Sequence, residues 1–192
     1  MNTSPIDIVI LAGGTGRRLG GQDKGLLDIN GQTSAEILAT RFCSSEDNLI
    51  ISANRNLERY KQLTDTVVTD PIADMGPLAG IQTAIAYAKY NIQLIIPCDM
   101  PFLPADLRTT LLENLTDDAI QVLHDGERLQ PLCMALTGTT WKHTIDDYLK
   151  ENGRSMKGWL ERCSYHECHI PNGTADMFRN INCASDMPQA PN

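Results

Sequence analysis

The segment 11–25, LAGGTGRRLGGQDKG, combines repeated glycines with the cations Arg17, Arg18 and Lys24. Glycine has no Cβ, so main-chain N–H groups in such a segment can approach phosphate oxygens closely. Arginine can bind a phosphate through two parallel hydrogen bonds, and lysine supplies a compact positive charge. The segment therefore predicts a cradle for a triphosphate. The alternative is a flexible surface loop that carries a solvated basic cluster.

Two commoner phosphate-binding loops do not fit this segment. Gly14 and Gly16 match the start of the dinucleotide-binding pattern G-x-G-x-x-G, but Leu19 occupies the position of the third glycine. The P-loop pattern requires G-K-[ST], whereas Lys24 lies between an aspartate and a glycine. The sequence therefore argues against a dehydrogenase and against a P-loop hydrolase.

The run IPCDMP places Asp99 directly after an apolar stretch. A carboxylate at the end of a buried strand is costly to desolvate without a partner. Mg²⁺ is a natural partner, because proteins hold it through one or two carboxylates together with substrate phosphates. Asp99 is therefore predicted to bind Mg²⁺. The alternative is that it caps the N-terminus of a helix that begins near Pro104.

Three further polar residues follow strand-like runs. Ser52 and Asn54 end one run, and Asp70 ends the next. Uncharged polar groups suit hydrogen bonding to a base edge, and Asp70 suits a base or a ribose. Ordinary turn chemistry explains the same residues equally well, so both interpretations stay open.

Short apolar runs alternate with helical patterns along the chain. Apolar residues recur at spacings of three and four after Gly76-Pro77, and again from Trp141 to Leu149, which predicts two helices. This alternation predicts an α/β fold with a mostly parallel, doubly wound sheet, and Asp125-Gly126 predicts a hairpin that adds an antiparallel strand. Ligands of such sheets bind at the carboxyl ends of the strands. The predicted strands span 7–12, 49–53, 66–69, 92–96, 119–123 and 132–136.

Length and composition set limits on the class of protein. The 192 residues fit one α/β domain, predicted over 1–185, with a flexible tail over 186–192. A net charge of −8 argues against a nucleic-acid partner. The apolar runs are far shorter than the roughly 20 residues that span a bilayer, so no membrane association is predicted.

The six cysteines are scattered and are predicted to be reduced, as in the cytoplasm. The cluster Cys163, His166, Cys168 and His169 could suggest a metal site. Its spacing matches no established zinc pattern, and successive residues of a strand point to opposite faces. We therefore interpret this cluster as part of an ordinary strand.

Six motifs occur in an order that resembles the molybdenum cofactor guanylyltransferase family. The resemblance spans roughly 6 to 183 and implies a Rossmann-like nucleotidyltransferase fold. It also implies transfer of GMP from GTP to molybdenum-bound molybdopterin in a bacterial cytoplasm. The motifs are LAGGTGRRLGGQDKGL, SANR, GPLAGI, PCDMPFLP, HDGERLQPL and FRNIN.

The resemblance also implies roles for individual residues. Lys24, Asp99 and Arg18 would be catalytic, with Asp99 as the Mg²⁺ ligand. The acceptor, or pterin, side would include Arg18, Gly21, Asn180 and Asn182. The nucleotide would contact Leu11, Ala12, Gly13, Gly14, Lys24, Ser52, Asn54, Asp70 and Asp99.

A phosphate acceptor is already anionic, so the predicted reaction needs no general base and depends on positioning and charge stabilisation. Two other functions remain open at this point. One is a related nucleotidyltransferase that uses CTP or a sugar-phosphate acceptor, and the other is a non-catalytic cofactor-binding protein. Protein partners that load or receive the cofactor are implied by the resemblance only, and a monomer is expected.

Overall fold

In a computed structural model, residues 4–14, 22–71, 75–171, 173–181 and 186 are described. They form one seven-stranded sheet, a two-stranded ribbon and helices on both faces of the sheet. The strands are β1 (Asp7–Leu11), β2 (Asp28–Ile29), β3 (Gln32–Thr33), β4 (Asn48–Ser52), β5 (Thr66–Val68), β6 (Ile92–Pro97), β7 (Ile120–His124), β8 (Leu129–Thr137) and β9 (Tyr165–His169). The α-helices are α1 (Ser34–Phe42), α2 (Leu57–Tyr60), α3 (Pro77–Ala86), α4 (Leu107–Glu113), α5 (Gly138–Lys150) and α6 (Met156–Leu160).

The large sheet has the strand order β5-β4-β1-β6-β8-β7-β9. Strands β5, β4, β1 and β6 run parallel, and β8 is antiparallel to both of its neighbours. The predicted fold class is therefore confirmed, with β8 as the antiparallel addition and the hairpin turn at Asp125-Gly126. Strand β9 pairs in parallel with β7, so every strand of this sheet except β8 ends at the same edge. We call this edge the carboxyl edge.

Side-chain alternation divides the core between the two faces of the sheet. Ile8 and Ile10 of β1 pack with the buried residues of α1 and α4. Val9 and Leu11 pack on the other face with those of α3, α5 and α6. Strand β1 is buried on both faces, which explains its continuous run of β-branched residues.

Main-chain hydrogen bonds extend the strand register to the carboxyl edge. The N–H of Ala12 donates to the Ser52 carbonyl at 2.7 Å, and the N–H of Ala53 donates to the Val68 carbonyl at 2.9 Å. The N–H of Cys98 donates to the Leu11 carbonyl at 3.0 Å. The segments that follow β1, β4, β5 and β6 therefore begin side by side.

No helix in the described part of the chain is long and apolar enough to cross a membrane.

An ion pair joins two elements at the opposite edge of the molecule. Arg108 of α4 donates to both carboxylate oxygens of Asp47, whose side chain is buried. Burial raises the pKa of Asp47, but hydrogen bonds from Arg108, Ser44 and the N–H of Ile6 outweigh it and hold the pKa well below its usual range. The charged carboxylate therefore stabilises the folded state.

Replacing Asp47 by asparagine should lower the free energy of unfolding at neutral pH by about 2 kcal/mol, because several hydrogen bonds to a charged acceptor are lost. Because the folded pKa is depressed, the contribution is present above the unfolded pKa of about 4 and is lost as the pH falls further. Urea unfolding at a series of pH values checks this. The wild type should lose stability below about pH 4 more steeply than Asp47→Asn. Parallel curves would contradict the prediction.

Candidate active site

Lys24 and Asp99 meet at the carboxyl edge although they are far apart in the chain. The Lys24 Nζ lies 2.8 Å from the Asp99 Oδ2, and the two side chains are 24% and 19% exposed. Lys24 begins a 3-10 turn (Lys24–Leu26), and Asp99 follows β6. The pair places one positive and one negative group together at the carboxyl edge of the sheet.

The main chain around Asp99 is fixed by two separate segments. Ile181 donates its N–H to the Asp99 carbonyl at 2.7 Å, and the Ser34 hydroxyl donates to the Cys98 carbonyl. The Arg41 guanidinium donates to the carbonyls of two residues further along the loop, Pro101 and Leu103, each at 2.7 Å. The turn after β6 is therefore held from both α1 and the C-terminal segment.

The alternative role of Asp99 as a helix cap is wrong. The next helix, α4, begins at Leu107, and its N-cap residue is Asp106. The Asp99 carboxylate is instead paired with Lys24. Its position at the carboxyl edge therefore requires an explanation other than capping.

A buried carboxylate next to Lys24 fixes the turn on which that lysine lies. Asp23 accepts hydrogen bonds from the Tyr60 hydroxyl at 2.6 Å, the Asn56 amide at 3.0 Å and the N–H of Gly25 at 3.2 Å. Burial, and next the hydrogen bond to Asp23, raise the pKa of Tyr60 far above its usual range, so the hydroxyl keeps its proton. A Cβ on residue 25 would lie 2.4 Å from the Tyr60 oxygen, so this arrangement requires glycine there.

A second cluster of polar side chains lies where β4 and β5 end. The Asn54 amide donates to the Asp70 Oδ2 at 2.8 Å, and the Asp70 N–H donates to the Asn54 Oδ1 at 2.9 Å. The Asp70 Oδ1 is buried and has no hydrogen-bond partner within the described residues. Gly13 lies beside this pair, since a Cβ there would be 3.1 Å from the Asn54 amide nitrogen.

Gly80 of α3 forms the opposite wall of this group. A Cβ on residue 80 would lie 2.6 Å from the Ser52 hydroxyl and 3.5 Å from the Asp70 Oδ1. Ser52, Asp70 and α3 therefore enclose a small polar site. Its unpaired carboxylate oxygen can accept hydrogen bonds from a ligand.

Gly80→Ala tests this site. The substitution favours the helix intrinsically, by about 1 kcal/mol, but its methyl group must displace the Ser52 hydroxyl. We expect the Kd for GTP to rise about tenfold, as for loss of one polar contact, with little change in Tm. Calorimetric titration and thermal unfolding measure the two quantities. Thr83→Ala is the control, because among the described residues that hydroxyl bonds within its own helix, to the Ala79 carbonyl. An unchanged Kd for GTP would contradict the prediction.

Of the other predicted site residues, some lie in the described part of the chain and others lie outside it. Leu11 is the last residue of β1, Ala12 extends the register through its N–H bond to the Ser52 carbonyl, and Gly13 and Gly14 follow. Asn180 directly precedes Ile181 and so lies next to the main chain of Asp99. Three residues of the predicted acceptor side, Arg18, Gly21 and Asn182, lie outside the described residues.

Three residues of the His and Cys cluster, His166, Cys168 and His169, lie in strand β9, whereas Cys163 precedes the strand. The Cys168 Sγ lies 3.1 Å from the Gln121 Oε1 on one face of the sheet. The ring centroid of His169 lies 4.7 Å from that of His124. Successive residues of β9 thus contact different neighbours.

The donor set at the carboxyl edge fits magnesium that is bound together with a nucleotide. Across the described residues, no three His, Cys, Asp or Glu side chains come together as a metal site. Mg²⁺ does not require such a cage, because it keeps waters and takes phosphate oxygens alongside one or two carboxylates. Asp99 provides one carboxylate of this kind, half-buried and next to a cation that suits phosphate.

The α/β sheet, the glycine-rich segment after β1 and the Lys24–Asp99 pair define a nucleotidyltransferase. A family model described as the MobA-like NTP transferase domain matches residues 8–167. The chain belongs to the molybdenum cofactor guanylyltransferase family.

Two curated relatives carry that family's name. The protein of Shewanella sp. (strain MR-4) is 39% identical over 160 residues, which are 82% of this chain and 81% of the relative. That of Yersinia pestis (strain Pestoides F) is 35% identical over 179 residues, 93% and 91% of the two chains. Among solved structures, molybdopterin-guanine dinucleotide biosynthesis protein A from Archaeoglobus fulgidus superposes with a TM-score of 0.72 at 18% identity, covering 94% of each chain. That similarity supports the fold.

Sequence reasoning missed Asp23, Tyr60 and Arg55 as parts of the site. In the sequence, Asp23 was used only as evidence against the P-loop pattern. Arg55 was noted as part of the SANR motif, and no role was assigned to it. The contacts that join them depend on side-chain geometry between distant segments, which composition and spacing do not reveal.

Proposed function

We propose that this enzyme transfers GMP from GTP to molybdenum-bound molybdopterin and releases pyrophosphate. The Lys24–Asp99 pair at the carboxyl edge, next to the glycine-rich segment, is the observation that carries the proposal. The reaction named for the relatives agrees with this geometry. A lysine next to a carboxylate suits a reaction in which the enzyme holds a magnesium-bound triphosphate. An acceptor then attacks one of its phosphorus atoms.

The polar group at Asp70 supports guanine as the base. Guanine presents two adjacent donors, N1–H and the N2 amino group, to a single acceptor. The buried Asp70 Oδ1 is an acceptor that has no partner among the described residues, and the Ser52 hydroxyl lies close to it. Adenine, cytosine and uracil each place an acceptor beside a donor on the same edge. A carboxylate therefore discriminates against them, since a buried polar atom left unpaired is costly.

In the proposed reaction an oxygen of the molybdopterin phosphate attacks the α-phosphorus of GTP. A new P–O bond forms, and the bond from the α-phosphorus to the oxygen bridging to the β-phosphate breaks. Pyrophosphate leaves with that electron pair. The attacking oxygen is already anionic, so the residues of this chain need only orient the two phosphates and offset their charge.

Lys24 and Asp99 divide this task. The Lys24 ammonium offsets negative charge that develops on the α-phosphoryl group and on the leaving pyrophosphate. Asp99 would hold Mg²⁺ together with the phosphates, and the bound ion supplies charge neutralisation as a Lewis acid. On the acceptor side, Asn180 lies next to Asp99, and we assign Arg18, Gly21 and Asn182 to the same side from the family resemblance.

A nucleotide-exchange assay tests the proposal. Pyrophosphate release is measured with molybdenum-loaded molybdopterin, Mg²⁺ and each of GTP, CTP, ATP and UTP. We expect GTP to be used and the other three to be poor substrates. Asp70→Asn should reduce this discrimination, because an amide presents a donor as well as an acceptor. Preference for CTP would indicate a related cytidylyltransferase. GTP binding without pyrophosphate release would indicate a cofactor-binding protein.

A further inference from the structure

Arg55, just beyond β4, contacts the main chain of the glycine-rich segment at two points, Gly14 and Gln22. Its Nη2 donates to the Gln22 carbonyl at 2.7 Å and to the Gly14 carbonyl at 3.2 Å. Gly14 and Gln22 are the described residues on either side of 15–21. The Nη2 group carries two hydrogens, one for each carbonyl. One side chain therefore links the main chain just beyond β1 to the main chain just before the Lys24 turn.

The same guanidinium lies next to the network that fixes the Lys24 turn. The Arg55 Nε is 3.8 Å from the Asp23 Oδ2, and the Asp23 side chain is 5% exposed. Asp23 in turn accepts from Tyr60, Asn56 and Gly25. Arg55 therefore links the buried network beneath Lys24 to the first glycines after β1.

We propose that Arg55 is a positioning residue for the triphosphate: it sets the distance between Gly14 and Gln22. The inference rests on the proposed function, in which Gly14 and Lys24 contact the nucleotide. We assign Arg55 a positioning role because its Nη2 group is bonded to these two main-chain carbonyls. Holding Gly14 and the Lys24 turn at a fixed separation pre-organises both for the triphosphate, which lowers the cost of binding it.

Arg108 provides a matched control for this role. Like Arg55 it is a partly buried arginine, 23% against 30% exposed, that bonds to a main-chain carbonyl and lies beside an aspartate. Its partners are Phe42 and Asp47, at the opposite edge of the molecule. A general loss of stability should therefore appear in Arg108→Gln, whereas a specific loss of triphosphate binding should not.

The experiment compares the wild type with Arg55→Gln, Arg55→Lys and Arg108→Gln. Calorimetry measures the Kd for GTP with Mg²⁺ and the Kd for guanosine, and thermal unfolding measures Tm. We expect Arg55→Gln to weaken GTP binding about tenfold, as for loss of a charge-assisted hydrogen bond, and to leave guanosine binding within about twofold. Arg55→Lys should recover binding only in part, because an ammonium lacks the planar fork. Arg108→Gln should lower Tm without changing either Kd.

The outcomes separate this inference from the proposed function. A wild type that does not bind GTP would overturn both. A wild type that binds GTP, with Arg55→Gln binding it equally well, would overturn only the role of Arg55. Equal losses for GTP and guanosine would show a general structural role and overturn the proposal. Full recovery with Arg55→Lys would show that charge alone is needed, which also contradicts it.

Discussion

Asp99→Asn should lower the rate of pyrophosphate release by about 10²–10³-fold, as for other groups that stabilise charge in a transition state. Asparagine keeps the shape of the side chain and one acceptor oxygen but removes the negative charge. That charge pairs with Lys24 at 2.8 Å and is the one we assign to Mg²⁺. The main-chain contact between Asp99 and Ile181 does not involve the carboxylate, so the fold should persist.

Lys24→Met should produce a loss of similar size, because the ammonium no longer offsets charge on the phosphates. If the two residues act as one unit, the double variant should be little slower than either single variant. Steady-state kinetics with GTP and loaded molybdopterin, over a series of Mg²⁺ concentrations, measures these rates.

Asp106→Asn is the control for the Asp99 substitution. Asp106 is an exposed carboxylate in the same connection between β6 and α4, and its side chain makes no capping hydrogen bond. Its replacement should leave turnover close to that of the wild type. If Asp99→Asn also retained near wild-type turnover with Mg²⁺, the assignment of the metal to Asp99 would be wrong.

The sheet was the most predictable part of this fold. Strands β1, β4 and β6 are central and parallel, so they are buried on both faces and appear as nearly continuous apolar runs. The helix after Gly76-Pro77 was also predictable, because proline at its first position marks its start.

Shorter elements were less visible in the sequence. Helix α1 was not predicted, although Thr33 and Glu36 form a capping box that marks its start. The parallel pairing of β9 with β7 follows from tertiary contacts. Local periodicity carries no information about which strand is the partner.

The candidate site was predictable only at the level of the sheet. The rule that ligands bind at the carboxyl ends of parallel strands directed attention to Lys24 and Asp99, which the structure brings together. Their supports were not predictable, because they are contacts between distant parts of the chain. The Tyr60 hydroxyl bonds to Asp23 across 37 positions, and Arg55 bonds to the Gln22 carbonyl across 33 positions. Such contacts depend on how the loops pack.

A buried carboxylate at the amino end of β1 should dominate the stability of the sheet. The Asp7 side chain is fully buried and accepts four hydrogen bonds from the elements around it. The donors are the Asn48 amide at 2.6 Å, the N–H groups of Lys89 and Tyr90 at 2.9 Å each, and the Gln93 amide at 3.1 Å. Asp7 therefore connects β1 to β4, to β6 and to the turn after α3.

Asp7→Ala should lower the free energy of unfolding by about 3–5 kcal/mol, because it leaves several buried donors without an acceptor. Asp7→Asn should lower the free energy of unfolding by less, since one oxygen remains as an acceptor. Its NH₂ group would still face neighbouring N–H donors. Urea unfolding measures both. Asp65→Ala, at an exposed position before β5, is the control and should change stability by less than about 0.5 kcal/mol.

Asp7 lies at the edge opposite the candidate site, so its effect should be confined to folding. Below the unfolding transition, Asp7→Asn should bind GTP with the wild-type Kd, whereas Gly80→Ala should lose affinity without losing stability. The two variants would then separate the structural carboxylate of β1 from the polar group at Ser52 and Asp70. A loss of less than about 1 kcal/mol for Asp7→Ala would mean that water replaces the carboxylate at little cost, contrary to the usual penalty for unpaired buried donors.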